Sequence, residues 1–392
     1  MNKTKTLIIS LLILAAGGAA TVLIFSTVPT AKRTGASKET AMLVDVIRAE
    51  KGDYRPTIQV MGTVEPSRDI TLSPRVSGQV IDRSPEFTPG GHVDEGETML
   101  QIDPADYKNT LQQRQSELRQ ARANLNIEMG RQQVAQQEFQ LIGDTLEGMN
   151  KGLVLRRPQL ENAKSNVESA QAAVNQAKLN LERTSIEAPF DAQIVSRNAN
   201  IGSQVAPGEN LGRLVGMENY WVEATVPLSR LRWLSFPDGD VEVAPEEGSS
   251  VRIRNRSAWD QGEYRTGYLY KQVGTLEENT RMARVLISVP DPLAYKEANS
   301  GKPSMMIGAF VEANIQAKEL TGVVRLNRDY IRQDETVWVM NNSQLDIRDV
   351  NIEFQDARYA YISEGLSDRD QVVTTNLTTV TDGAALRLSS SD

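Results

Sequence analysis

The sequence predicts an elongated α+β chain built from several small domains. Its parts are an N-terminal apolar helix, β domains of short strands that include one small barrel, and a split β domain interrupted by an antiparallel α-helical coiled-coil hairpin. Three observations carry this expectation. A short β motif occurs twice. Heptad-spaced apolar residues lie between its copies. Outside both, brief runs of alternating apolar and polar residues are separated by turns rich in Pro, Gly, Asp and Glu.

The upstream copy of the motif reads Gly90-Gly91-His92-Val93-Asp94-Glu95-Gly96-Glu97, preceded by Ser73-Pro74-Arg75-Val76-Ser77-Gly78-Gln79-Val80. The downstream copy reads Gly202-Ser203-Gln204-Val205-Ala206-Pro207-Gly208-Glu209. Both carry G-x-x-V-x-x-G-E. Each needs a glycine at a turn, a valine in a core and a second glycine before the next strand. The turn glycines are therefore Gly78, Gly90, Gly96, Gly202 and Gly208. A repeat split by a long helical segment reads as one β domain with helices inserted at its middle. That layout suits joining partners better than catalysis.

The inserted helices come next. Leu160, Val167, Val174 and Leu181 recur every seven residues, with Ala163, Ala170 and Ala177 three further on. This is an a/d seam of large against small residues, suited to close antiparallel packing. Pro158 fits a first helical turn, and Pro189 lies just past the end. The upstream helix begins near Pro104 with Asp103 as N-cap. Leu111, Leu118 and Leu125 continue its seam, which weakens across Gln132, Gln133, Gln136 and Gln137 and resumes at Phe139. At about 1.5 Å per residue the arm is roughly 45–60 Å long. Glycines break the helix at a tip spanning 143–157. Leu146, Met149, Leu153 and Leu155 would be exposed there, either to meet a partner or to fold back and close the hairpin, and Leu146, Met149, Lys151, Leu153, Arg156 and Arg157 are the candidate contact residues.

At the N-terminus, Lys3 and Lys5 precede an uncharged run from Leu7 to Val28, long enough to cross a hydrocarbon core of about 30 Å. The apolar residues Val22 to Phe25 continue past the small residues 15–20. This favours a retained anchor over a cleaved signal peptide, with the two lysines on the cytoplasmic side. Polar residues 29–40 read as a linker.

The 392 residues carry 43 Lys and Arg against 51 Asp and Glu, a net charge of −8 that argues against a nucleic-acid partner. There is no cysteine and a single histidine. Disulfides, cysteine nucleophiles, cysteine metal sites and an N-terminal lipid-accepting thiol are excluded. His92 sits in a repeat turn whose counterpart is Gln204 and reads as a satisfied surface residue. It offers no route to a catalytic triad. Met282, Met305 and Met306 read as packing rather than a soft-metal site. Asp94, Glu246, Glu247 and Asp291 read as solvated surface. No catalytic residue, cofactor site or metal site is expected.

The remaining strands follow in order. Ile58 to Val64, Tyr220 to Val226, Val251 to Ile253, Ala283 to Val289 and Val311 to Ile315 alternate as a small barrel would. A short helix is expected at Leu228 to Leu234. After Gly322 come Val337 to Met340, a turn at Asn341 to Gln344, and further strands to Leu388.

These residues resemble the periplasmic adaptor, or membrane fusion protein, family of Gram-negative bacteria. The chain looks most like the adaptors of resistance–nodulation–division (RND) multidrug efflux pumps, within the hemolysin-secretion D-like superfamily. The resemblance rests on Pro74 to Val80, on Gly90 to Asp103, and on Leu181-Glu182-Arg183-Thr184-Ser185-Ile186-Glu187-Ala188-Pro189-Phe190-Asp191. Arg281 to Val285 and Ile307 to Val311 extend it. It implies a nested order. Residues 1–28 would form a cytoplasmic tip and transmembrane anchor, and 29–42 a linker. A membrane-proximal β domain would take 43–57 and 322–392, and a β-barrel 58–70 and 218–321. A lipoyl-like domain would take 71–103 and 185–217, and the hairpin 104–184. It further implies a single-pass inner-membrane protein whose bulk lies in the periplasm. Its partners would be an RND transporter, an outer-membrane TolC-type channel met by the hairpin tip, and further copies of itself as a trimer or hexamer. An adaptor for an ATP-driven exporter or type I secretion system is the alternative. Many such adaptors carry an arginine–leucine–serine pattern at the tip. Here the region reads Asn150-Lys151-Gly152-Leu153-Val154-Leu155-Arg156-Arg157, with no serine. A lipoate or biotin carrier is excluded, because the hairpin occupies the place of the carrier's lysine turn.

Overall fold

The structure, a computed structural model, describes residues 3–26, 41–142, 151–237, 248–378 and 380–389. Two compact units emerge: Met1–Tyr54 with Leu320–Asp392, and Arg55–Glu319.

In the first unit, helix α1 spans Lys3–Ser26. Its apolar stretch Leu7–Ser26 is long enough to cross a bilayer and is exposed along its length among the described residues. Such a surface is unfavourable in water and favourable in lipid. Val28, expected to end the anchor, lies outside the described residues. The rest of this unit weaves the N-terminal strands into the C-terminal segment. Lys51–Tyr54 pairs with Leu320–Asn327, Val46–Arg48 pairs with Gln371–Val373, and Met42–Val44 runs parallel to Leu386–Leu388. Val324, Leu326, Val337, Val339, Ile362 and Val372 fill one shared core.

The second unit holds a closed six-stranded barrel, a two-sheet split domain and the hairpin. Around the barrel the strands run Asn219–Val226, Ala283–Pro290, Arg265–Leu276, Ser250–Arg254, Phe310–Gln316 and Thr57–Pro66. Alternation sends Val222, Ile253, Ile287 and Ile315 inward, fully buried, each worth about 1.5–3 kcal/mol of transfer free energy. Gly62 is required where two strands press together. A Cβ there would stand 2.6 Å from the Glu223 carbonyl oxygen.

The split domain pairs two four-stranded sheets, one half from each side of the hairpin. Val80, Phe87, Met99, Ile102, Ile194 and Leu214 fill its core. All five turn glycines adopt positive φ, and the structure explains why the motif ends in Gly-Glu. Gly96 and Gly208, at φ of 81° and 85°, reverse the chain. The carboxylate that follows accepts the N–H three residues back, Glu97 from Asp94 at 3.3 Å and Glu209 from Ala206 at 3.0 Å. Val93 and Val205 enter the same core from equivalent places, both 2% exposed.

Strand pairing moves four expected boundaries. Met42, assigned to the linker, opens Met42–Val44, which runs parallel to Leu386–Leu388. Asp69 and Ile70, assigned to the barrel, belong to Asp69–Leu72, which pairs with Gly212–Gly216 in the split domain. Leu320 and Thr321, also assigned to the barrel, open a strand of the first unit. Thr57, assigned to the membrane-proximal part, opens the barrel strand opposite Gln316. In each case the hydrogen-bond ladder sets the boundary at a residue that the resemblance alone does not fix.

Candidate docking elements

Two long helices build the projecting element: α2 (Ala105–Ile142) and, after the single turn α3 (Lys151–Val154), α4 (Arg157–Glu182). Asp103 caps α2, its carboxylate accepting the Ala105 N–H at 2.9 Å. The protected face of α2 is Tyr107, Leu111, Arg114, Leu118, Ala121, Leu125, Glu128, Gln132, Ala135 and Phe139, in alternating steps of four and three. That is an unbroken 3.5-residue period. Opposite it, Leu160, Ala163, Val167, Ala170, Val174, Ala177 and Leu181 are all partly or fully buried on α4.

The expected weakening of the seam near Gln132 is a change of chemistry rather than a gap. Glu128 is a seam residue only 8% exposed. Arg156 answers it with two hydrogen bonds, Nε to Oε1 at 2.7 Å and Nη2 to Oε2 at 3.0 Å. Hydrogen bonding from Arg156, with its positive charge, holds the Glu128 carboxyl below the usual carboxylate range and raises the guanidinium in turn. Gln132 donates to the Leu155 carbonyl at 3.3 Å. A bidentate guanidinium–carboxylate fork therefore replaces apolar packing here.

This pair changes the reading of the tip. Arg156, expected to face a channel, is turned inward to Glu128. Its left-handed backbone, φ 54°, makes the break between α3 and α4. Leu155 beside it, expected to be exposed, is buried. Leu153 is 56% exposed and Arg157 is exposed. The Lys151 ammonium lies 5.0 Å from the Phe139 ring centre. Leu146 and Met149 lie outside the described residues. Glu128 had a sequence signal of its own, since it falls seven residues after Ala121, on the seam.

Two further expectations are corrected where the barrel meets the split domain. Asp291 is not solvated surface. It is 4% exposed and accepts the N–H groups of Tyr295 at 2.9 Å and Lys296 at 3.1 Å, and the Asn299 amide at 2.7 Å. Its neighbour Arg265 is fully buried and donates to the carbonyls of Pro290, Asp291, Pro292 and Pro303. Together they fasten a strap, residues 291–306, to the barrel. His92 is half-buried, and its Nε2 lies 2.7 Å from the Tyr295 hydroxyl of that strap. Met305 is buried as packing, whereas Met306 is 70% exposed. Glu246 and Glu247 lie outside the described residues. Among the described residues, no three His, Asp or Glu side chains gather as a metal site would require.

Comparison with known proteins converges on this architecture. Residues 68–216 match the barrel-sandwich hybrid domain of RND membrane fusion proteins. Multidrug resistance protein MdtA of Klebsiella pneumoniae is 25% identical over 333 residues, covering 84% of this chain and 76% of that protein. MdtA of Salmonella typhimurium is 23% identical over 336 residues, with the same shares covered. Among solved structures, MacA of Actinobacillus actinomycetemcomitans covers 84% of this chain and 99% of its own, with a TM-score of 0.56 at 17% identity. A MacA–MexA chimera bearing the Pseudomonas aeruginosa MexA α-hairpin covers 84% of this chain and all of its own, with a TM-score of 0.54 at 19% identity. Matched domain, relatives and shared fold point the same way: the chain carries the barrel-sandwich hybrid domain of RND membrane fusion proteins in a fold shared with MacA, which supports a periplasmic adaptor of that type.

Proposed function

We propose that this adaptor is held in the inner membrane by α1 and joins an RND transporter to a TolC-type outer-membrane channel, for export of drugs or other small molecules. Such proteins are structural adaptors rather than enzymes, and this one works by holding partners together. One observation carries the reading: a two-helix arm is mounted on a split β domain in a chain that begins with a membrane-length apolar helix. Lys3 and Lys5 would remain cytoplasmic, leaving the two β-rich units in the periplasm. The barrel and the first unit would meet the transporter. The end of the hairpin, with Leu146, Met149, Lys151, Leu153 and Arg157, would meet the channel. Several copies would surround the transporter as a trimer or hexamer. The multidrug resistance named for the relatives supports small molecules as cargo.

The test is genetic and chemical together. Deleting the gene should raise drug susceptibility, and the full chain should restore resistance. A photoreactive residue at position 153 should crosslink to an outer-membrane channel, and one on the barrel to a transporter. Crosslinks from both sites to an ATP-binding-cassette exporter assembly, with no RND transporter captured, would replace this reading by the alternative one.

A further inference from the structure

A cleft of about 530 Å³ lies where the split domain meets the barrel, within the usual range for small-molecule sites. Ile194 and Val195 line it from the split domain, and Leu293, Met305 and Met306 from the strap. Its walls are set in advance. Arg265 and Asp291 fix the strap to the barrel through backbone groups, and the Tyr295–His92 contact ties it to the split domain. Preorganised walls leave less ordering to be done when a ligand enters.

Tyr220 sets the chemistry. It lines the cleft, is 1% exposed, and its hydroxyl has no hydrogen-bond partner among the described residues. A buried hydroxyl in that state favours any ligand that brings an acceptor. Burial, with neighbouring Tyr295 adding to it, pushes the phenol up to about 12, so it remains a donor at neutral pH. Among the described lining residues Arg213 alone is charged, and Asp69 already pairs with it, Nε to Oδ1 at 2.9 Å. The cleft therefore offers an ionic ligand no free counter-charge. Methionine is flexible and polarisable, and favours ring systems.

We propose that this cleft binds an uncharged, drug-sized molecule with a ring-bearing apolar body and one carbonyl-type acceptor directed at Tyr220. The proposal concerns binding by the chain alone and does not rest on docking to a transporter or channel. Benzophenone is a suitable probe: neutral, two-ringed, with one carbonyl and photochemistry that favours methionine. The full chain, held in amphipol, would be irradiated with increasing benzophenone and its adducts located by peptide mass spectrometry. Saturable labelling is expected at Met305, which is 3% exposed, above that at Met129, which is 51% exposed on α2. Val195→Trp, which fills the cleft from its rim, should abolish the Met305 adduct. Tyr220→Phe should raise the half-saturating concentration about fivefold, the loss of one neutral hydrogen bond. Labelling at Met305 that fails to saturate, does not exceed that at Met129, or survives Val195→Trp would overturn the proposal. So would an unchanged half-saturation in a folded Tyr220→Phe protein.

Discussion

At the scale of single residues, the most consequential side chain away from the hairpin is Arg265. Its guanidinium is buried against four carbonyls, and that burial lowers its pKa from the ordinary arginine value. No strand is expected here from the sequence, although Arg265, Gly267 and Leu269 alternate inward along Arg265–Leu276 in the structure. Asp291 was not legible either, because its partners are N–H groups of the turn that follows it, and side-chain chemistry gives no sign of them. The motif glutamates were legible as a repeat, but their capping role was not, since the sequence shows recurrence without geometry. Arg265→Leu should cost about 3 kcal/mol, because it strips charged hydrogen bonds from several buried carbonyls at once. The strap should then open to protease near Tyr295 and Lys296 while the hairpin keeps its helicity. Denaturant unfolding with a proteolysis map measures both. A strap as resistant as in the wild type would show that the backbone of 291–306 holds itself.

At the scale of elements, the hairpin was the most legible part of the chain. Seven-residue spacing identifies its seam without any knowledge of what surrounds it, and the α4 positions named from spacing are those the structure shields. What the spacing hid was the polar layer at Glu128, because polar residues on a seam look like an interruption. Val174→Asp puts a carboxylate into the mid-seam, at a position the hairpin shields. It should destabilise the hairpin by about 2 kcal/mol. Circular dichroism and the protease resistance of residues 105–182 report the loss, and both β cores should survive. Glu128 adds a pH dependence. Its carboxyl is held below the ordinary 4.5. Its contribution is therefore complete above that value and is lost as pH falls through the lowered one. Glu128→Gln should make residues 151–157 more susceptible to protease at neutral pH. The protection of that segment's amides, taken relative to the intrinsic exchange rate at each pH, should fall only below about pH 4.5 in the wild type and should be nearly flat with pH in the variant. Equal exchange in the two proteins at neutral pH would mean that Leu155 alone closes this end.

At the scale of the whole molecule, a division of labour follows from where apolar surface is left uncovered. The β domains bury their own cores, so their interiors are spoken for. Two uncovered features concern partners most directly: the apolar helix α1 and Leu153 near the hairpin end. The first suits lipid better than water. The second, on a two-helix arm with no core at its end, is available to a partner. The sequence made this layout visible because each feature is local, a run of apolar residues in one case and a break in a helix in the other. It could not show that Arg156 is committed to Glu128, which depends on two helices meeting. The docking residues to test are therefore Leu153, Lys151 and Arg157. Leu153→Glu should weaken channel binding by about 2 kcal/mol, on the order of 30-fold, if this side chain is a hot spot. The variant should remain folded, membrane-bound and attached to its transporter, since none of those depends on the hairpin end. Drug susceptibility should rise, and crosslinking to the channel should fall while crosslinking to the transporter is unchanged. Full resistance with intact channel crosslinks would remove Leu153 from the interface. The same result with Lys151, Leu153 and Arg157 changed together would leave the hairpin end without a docking role.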